Sequence, residues 1–113
     1  MKLIDFHCDT FWAMERQVPL CVDIEKLKNA DSLAQFFACF IYMDDFAGEN
    51  CYTKGYQHAL EMIRFAKKYF ESMPNEIAMT CNYEKLCAHQ KGNKISAFLT
   101  IEEGGILEGD MSR

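Results

Sequence analysis

MKLIDFHCDT, residues 1–10, is the stretch from which the fold can be inferred, because it joins a short apolar run to histidine and acid. If a strand runs from Lys2 to Cys8, its side chains alternate between two faces. His7 and Asp9 then share one face. The opposite face is wholly apolar and consists of Ile4, Phe6 and Cys8.

This pattern leaves two interpretations of His7 and Asp9 open. An imidazole and a carboxylate on one face of a strand are suited to hold one metal ion. Alternatively, Asp9 caps a following helix, and His7 is hydrogen bonded beside it. A His-x-Asp pair alone does not decide between them.

A second stretch with the same design is KISAFLTIEEGG, residues 94–105, an apolar run that ends in acids and glycines. In parallel α/β sheets and barrels, functional side chains gather where the strands end. Two strands that both end in imidazole or acid therefore predict one shared site.

The segments between these two stretches predict βαβ units. Residues 33–43 form a continuous apolar run that is typical of a strand buried on both faces. Apolar residues at three- and four-residue steps predict a helix over 52–72. We further expect an extended segment at 77–80, a helix at 83–90 and a strand at 94–101. Gln35 is either a hydrogen-bonding residue of a barrel interior or surface exposed. Residues 1–113 form a single segment.

Composition excludes several classes of protein. The net charge of −5 argues against a nucleic-acid surface, and no apolar run is long enough to span a membrane. Without a recognisable signal peptide, we expect a cytoplasmic protein whose six cysteines are reduced. The cysteines form no CxxC pair, which argues against a zinc finger.

Three segments, IDFHCDT (4–10), AQFF (34–37) and KISAFLTIEEGG (94–105), together resemble the membrane dipeptidase (renal dipeptidase) family of zinc peptidases. This family belongs to the amidohydrolase group of metal-dependent barrels. The resemblance covers essentially the whole chain and implies an α/β fold that is the N-terminal part of a (β/α)8 TIM-type barrel. Since such barrels typically need about 250 residues, we expect this chain of 113 residues to be an N-terminal fragment, inactive alone.

The resemblance also implies a chemistry. The family hydrolyses the peptide bond of dipeptides with a hydroxide that bridges two Zn²⁺ ions. By the family pattern His7 and Asp9 would be ligands of one zinc, and a glutamate at the end of the last strand would bridge both. His58 and His89 match no family ligand; we interpret His58 as a surface residue and His89 as a cation in the last turn of a helix.

Two glutamates could serve as the bridge, and we predict Glu102 rather than Glu103. By alternation, Ala97, Leu99 and Ile101 would face outward towards helices. Ser96, Thr100 and Glu102 would then point inward. Glu102 also directly follows the last apolar residue of the strand, as in the family pattern. A bulge at the strand end would favour Glu103 instead.

Alternatives remain at the level of function. The chain could belong to another amidohydrolase-type metal enzyme, such as a phosphoesterase or deacylase. It could also be a short α/β binding or assembly module without metal. Because a partial barrel exposes strand edges, near 33–42 and 94–101, we expect a homo-oligomer or association with the remainder of the barrel.

Overall fold

Four parallel strands form the centre of the protein. In the computed structural model, which describes residues 2–112, they are β1 (Leu3–Asp5), β2 (Ser32–Phe40), β3 (Ile77–Met79) and β4 (Ile95–Glu102). Their order in the sheet is β1-β2-β4-β3, and all three pairings are parallel. The predicted α/β class with parallel strands is confirmed. The sheet is consistent with part of a TIM-type barrel, but within the described residues it is not closed.

Four helices connect and cover the strands: α1 (Thr10–Glu15), α2 (Ile24–Asn29), α3 (Cys51–Glu71) and α4 (Tyr83–Lys91). The two predicted long helices are confirmed to within one residue at each end. Helices α2 and α4 begin at the N-caps Asp23 and Asn82, whose side chains accept hydrogen bonds from backbone N–H groups three residues later. Among the described residues, none of the helices is both long and apolar enough to cross a bilayer.

One face of the sheet packs against α3 and forms the core. Phe37 of β2 and Ala97 of β4 are fully buried there, with Ala66 and Phe70 of α3. The ring of Phe37 lies 5.1 Å from that of Phe70 and 5.5 Å from that of Phe11 in α1. Burying one such phenylalanine contributes about 2 kcal/mol to folding. These rings therefore stabilise the packing of α1 and α3 against β2.

The opposite face carries a row of phenylalanines. The ring of Phe36 lies 5.1 Å from that of Phe6 and stacks 4.5 Å from that of Phe98. Near the beginnings of the strands this face is covered by α4, whose His89 approaches the Ser96 hydroxyl to 3.3 Å. Phe6 is nevertheless 72% exposed, so the row is only partly covered.

The first strand is shorter than predicted, and its expected alternation is wrong. It ends at Asp5, and its register against β2 shifts between Leu3 and Ile4. From Ile4 onward the pairing with β2 is regular, so Phe6 lies on the face of Phe36 and joins the phenylalanine row rather than the helix-packed face. Because β1 ends at Asp5, the alternation does not extend to Cys8, which is buried in the core on the helix side.

The prediction that the strands near 33–42 and 94–101 have unpaired edges is also partly wrong. Strand β2 is central, with β1 on one side and β4 on the other. Strand β4 pairs with β3 only over Ile95–Ala97. Within the described residues, its outer edge from Phe98 to Glu102 pairs with no strand, so one of the two predicted edges remains.

Gln35 is fully buried, so the alternative of surface exposure is wrong. Its Nε2 donates to Oδ2 of Asp5 at 2.9 Å and to the Phe36 carbonyl at 3.0 Å. The predicted hydrogen-bonding role is confirmed. By strand alternation, however, Gln35 shares the helix-packed face with Phe37, and the predicted position in a barrel interior is wrong.

All six cysteines are free, and their environments predict different reactivities. Burial raises the pKa of the Cys39 thiol to about 11 and also raises the pKa of Cys8. The thiolate is the reactive form of cysteine. We therefore expect the alkylation rates of Cys39 and Cys8 at pH 8 to be at least tenfold lower than those of the exposed Cys21 and Cys81. Mass spectrometry after iodoacetamide treatment of the native chain measures this. Equal labelling of Cys39 and Cys81 would contradict the buried position, and the denatured chain serves as the control.

Candidate metal centre

Three predicted site residues meet where β1 and β4 end. The Nε2 atom of His7 lies 3.2 Å from Oδ1 of Asp9 and 3.6 Å from Oε2 of Glu102. One donor atom from each of the three lies within 4.8 Å of the other two, and among the described residues no other such group of histidine, cysteine and acids is found. Residues from both ends of the sequence thus form one cluster.

Strand β2 supports both halves of this cluster, because it lies between β1 and β4. On one side, the Ala38 N–H donates to the Cys8 carbonyl at 2.9 Å. On the other side, Phe40 pairs with Glu102, and the Ile41 N–H donates to the Glu102 carbonyl at 3.3 Å. The segments that carry His7, Asp9 and Glu102 are therefore attached to the same buried strand.

Asp9 occupies the N-cap position of α1, but its side chain makes no capping hydrogen bond. Only its backbone carbonyl takes part in the helix, by accepting from the Ala13 N–H at 2.9 Å. The carboxylate instead faces His7. The alternative in which Asp9 acts as a side-chain cap is therefore wrong, while the hydrogen bond to His7 is present.

The spacing of the donor atoms fits a single transition-metal ion. Zinc binds histidine nitrogen and carboxylate oxygen at about 2.0–2.2 Å, so two ligands on a tetrahedral ion lie about 3.3–3.6 Å apart. The two separations from His7, 3.2 and 3.6 Å, are close to this value. The side chains of His7, Asp9 and Glu102 are each about half exposed, at 53%, 47% and 50%. An ion held by them would keep positions open for other ligands and for substrate.

Glu103 is directed away from the cluster. Its Oε1 accepts a hydrogen bond of 2.6 Å from the Gly105 N–H, at the start of a 3-10 helix, Gly104–Leu107. The structure therefore brings Glu102, and not Glu103, next to His7. The predicted outward face of β4 is correct for Ala97 and Leu99, which join the core. Ile101 pairs with the core residue Cys39 and so lies on the same face, but it is 46% exposed.

The other two histidines lie elsewhere. His58 pairs with Glu15 at 3.1 Å, and its ring lies 5.3 Å from that of Phe46. With 24% of its side chain exposed, it lies at the surface, as expected, but is partly covered by these two contacts.

His89 is in the last turn of α4, as predicted, but it turns towards the sheet. Its Nδ1 lies 2.9 Å from the Thr80 hydroxyl oxygen. Burial, with smaller contributions from Lys94 and Lys85, lowers the pKa of His89. The expected cationic role at the helix end is therefore not favoured.

The sequence alone did not reveal the role of Asp5. Its Oδ1 lies 3.5 Å from the His7 backbone nitrogen, and its Oδ2 accepts from the buried Gln35. Asp5 thus links the loop that carries His7 to the interior. The signal was a pair of polar residues in two otherwise apolar strands, because buried polar groups need partners.

The chain matches a model of a protein family. The model described as "Membrane dipeptidase (Peptidase family M19)" matches residues 1–113 of the chain. A comparison with curated proteins gives no match.

Proposed function

The chain belongs to the membrane dipeptidase family, and we propose that it supplies His7, Asp9 and Glu102 to the metal centre of a zinc-dependent dipeptidase. The substrate class is small dipeptides. The single observation that carries the proposal is the cluster of these three side chains at the ends of β1 and β4.

The three residues have separate roles in this proposal. His7 and Asp9 hold one ion from the same loop, while Glu102 has a second carboxylate oxygen with which to reach a neighbouring ion. Bound zinc would supply an activated water and would polarise the scissile carbonyl. A second ion needs further ligands, and His58 and His89 are engaged elsewhere. The chain therefore contributes only part of a binuclear centre.

The alternatives have less support. A phosphoesterase or deacylase could use similar ligands, but the family match favours a peptidase. A module without metal would have no need for two carboxylates beside one half-exposed histidine. Such a module would also fold and melt identically with and without a chelator.

We expect zinc to stabilise the chain. At a free zinc concentration 100-fold above its dissociation constant, linkage predicts about 2.7 kcal/mol of stabilisation, which would raise the melting temperature by roughly 10 °C. Thermal denaturation after dialysis against a chelator, then with added zinc, measures the shift.

Two controls separate this site from other zinc binding. Mg²⁺ prefers oxygen ligands in octahedral geometry and should give little shift. The variant His7→Ala keeps all six cysteines but lacks one proposed ligand, so it should lose the zinc effect. A melting temperature that is the same in zinc and in chelator would refute zinc binding at this cluster.

A further inference from the structure

The two consecutive glutamates that end β4 have different surroundings. The Glu102 carboxylate is near His7, whereas the Glu103 carboxylate is bound to the Gly105 N–H. We propose that Glu103 is a positioning residue that closes the turn after β4 and thereby holds Glu102 towards His7. The proposal rests on the zinc site proposed above.

The turn that Glu103 closes is tightly packed. Its Oε1 lies only 2.6 Å from the Gly105 nitrogen. A Cβ at position 105 would lie 2.7 Å from that same oxygen and 3.0 Å from Cε1 of Tyr52 in α3, so a side chain there would require the Glu103 carboxylate to shift. The Glu103 carboxylate and the Tyr52 ring therefore both lie against Gly105.

The backbone of Glu103 also needs support. Its dihedral angles are φ 154° and ψ 98°, which lie outside the usual strand and helix regions. Residues other than glycine rarely adopt such a positive φ. The Gly105 N–H, two residues ahead, donates a hydrogen bond to the Glu103 side chain, and this bond stabilises the conformation. Without that bond, the turn loses the side-chain cap that Glu103 provides at the start of the 3-10 helix.

Glu102 depends on its neighbours because its own side chain is half exposed and little packed. On one side, its carbonyl accepts from the Ile41 N–H at 3.3 Å. On the other side, the Glu103–Gly105 bond fixes the direction in which the chain leaves the strand. These two attachments set where the Glu102 carboxylate points, as supporting residues do around metal ligands.

The test uses the chain of 113 residues in three variants, Glu103→Ala, Glu103→Gln and, as matched control, Glu49→Ala. Glu49 is an exposed acid in the loop before α3. Without metal, NMR measures hydrogen exchange of the Gly105 amide and the nuclear Overhauser contacts between the His7 ring and the Glu102 side chain. Zinc affinity is measured by competition with a fluorescent chelator.

We expect Glu103→Ala to expose the Gly105 amide, to weaken the His7–Glu102 contacts and to lower zinc affinity about tenfold. Glu103→Gln keeps an oxygen that can accept from Gly105, so it should stay within about threefold of the original chain. Glu49→Ala should change nothing. If Glu103→Ala fails to fold by circular dichroism, Glu103→Gly takes its place, because glycine accepts the backbone angles but offers no acceptor.

Two results would overturn the positioning role. One is unchanged His7–Glu102 contacts and zinc affinity in Glu103→Ala. The other is a Glu103→Gln variant that binds zinc as weakly as Glu103→Ala while Gly105 stays protected, since the carboxylate charge would then matter and not the turn. If even the original chain binds no zinc, the proposed function fails, and the metal-free contacts still decide the role of Glu103.

Discussion

Replacing Glu102 by glutamine should reduce zinc affinity by about 100-fold or more, since the loss of a supporting residue alone commonly costs 10- to 100-fold. The amide keeps the shape of the side chain but removes the charge that lies 3.6 Å from His7 Nε2. It also removes the second anionic oxygen with which the residue could reach another ion. His7→Ala should have an effect of similar size, because it removes the donor shared by both close contacts of the cluster.

Glu103→Gln is the matched control, because it makes the same change of charge one residue away. A purely long-range electrostatic effect would weaken zinc binding equally in both variants. A direct ligand role predicts a large loss only for Glu102→Gln. If Glu103→Gln loses zinc while Glu102→Gln retains it, Glu103 is the ligand and Glu102 is not.

No dipeptide hydrolysis above the rate in zinc buffer is expected from the purified chain of 113 residues. The sequence contains three histidines, and only His7 lies in the cluster. Three protein ligands cannot surround two ions and also grip the two ends of a substrate. Catalysis depends on placing nucleophile and carbonyl together, so a partial centre should lose nearly all of the family's activity.

The measurement is release of free amino acid from a dipeptide by micromolar chain with added zinc. The His7→Ala variant and a chelator-treated sample are the controls. Turnover that disappears in both controls would contradict the prediction. It would mean that copies of the chain complete each other's site, and gel filtration of the active sample would identify that assembly.

Local patterns predicted the elements better than their arrangement. Periodicity located α3, because the apolar face of a long amphipathic helix can be recognised from the sequence of that helix alone. Alternation failed beyond β1, because the strand ends at Asp5 and its short length depends on its pairing with β2 as well as on its own sequence. The position of β3 beyond β4 also depends on pairing between segments far apart in the sequence.

The metal-ligand cluster was partly predictable from local patterns. His7, Asp9 and Glu102 each follow an apolar strand, and ends of parallel strands meet at one edge. Alternation and the family pattern also favoured Glu102 over Glu103 as the metal ligand. The bond from Glu103 to Gly105 depends on a turn whose backbone angles the sequence does not reveal.

The pairing of β2 with β4, from Ala34–Ser96 to Phe40–Glu102, has a consequence for folding kinetics. It joins segments that are separated by most of the chain, and such pairings close slowly because the entropy of a long loop is lost first. Because Glu102 lies next to His7 only when β4 is paired with β2, we expect the metal centre to assemble late in folding. We therefore expect zinc to slow unfolding more than it accelerates folding.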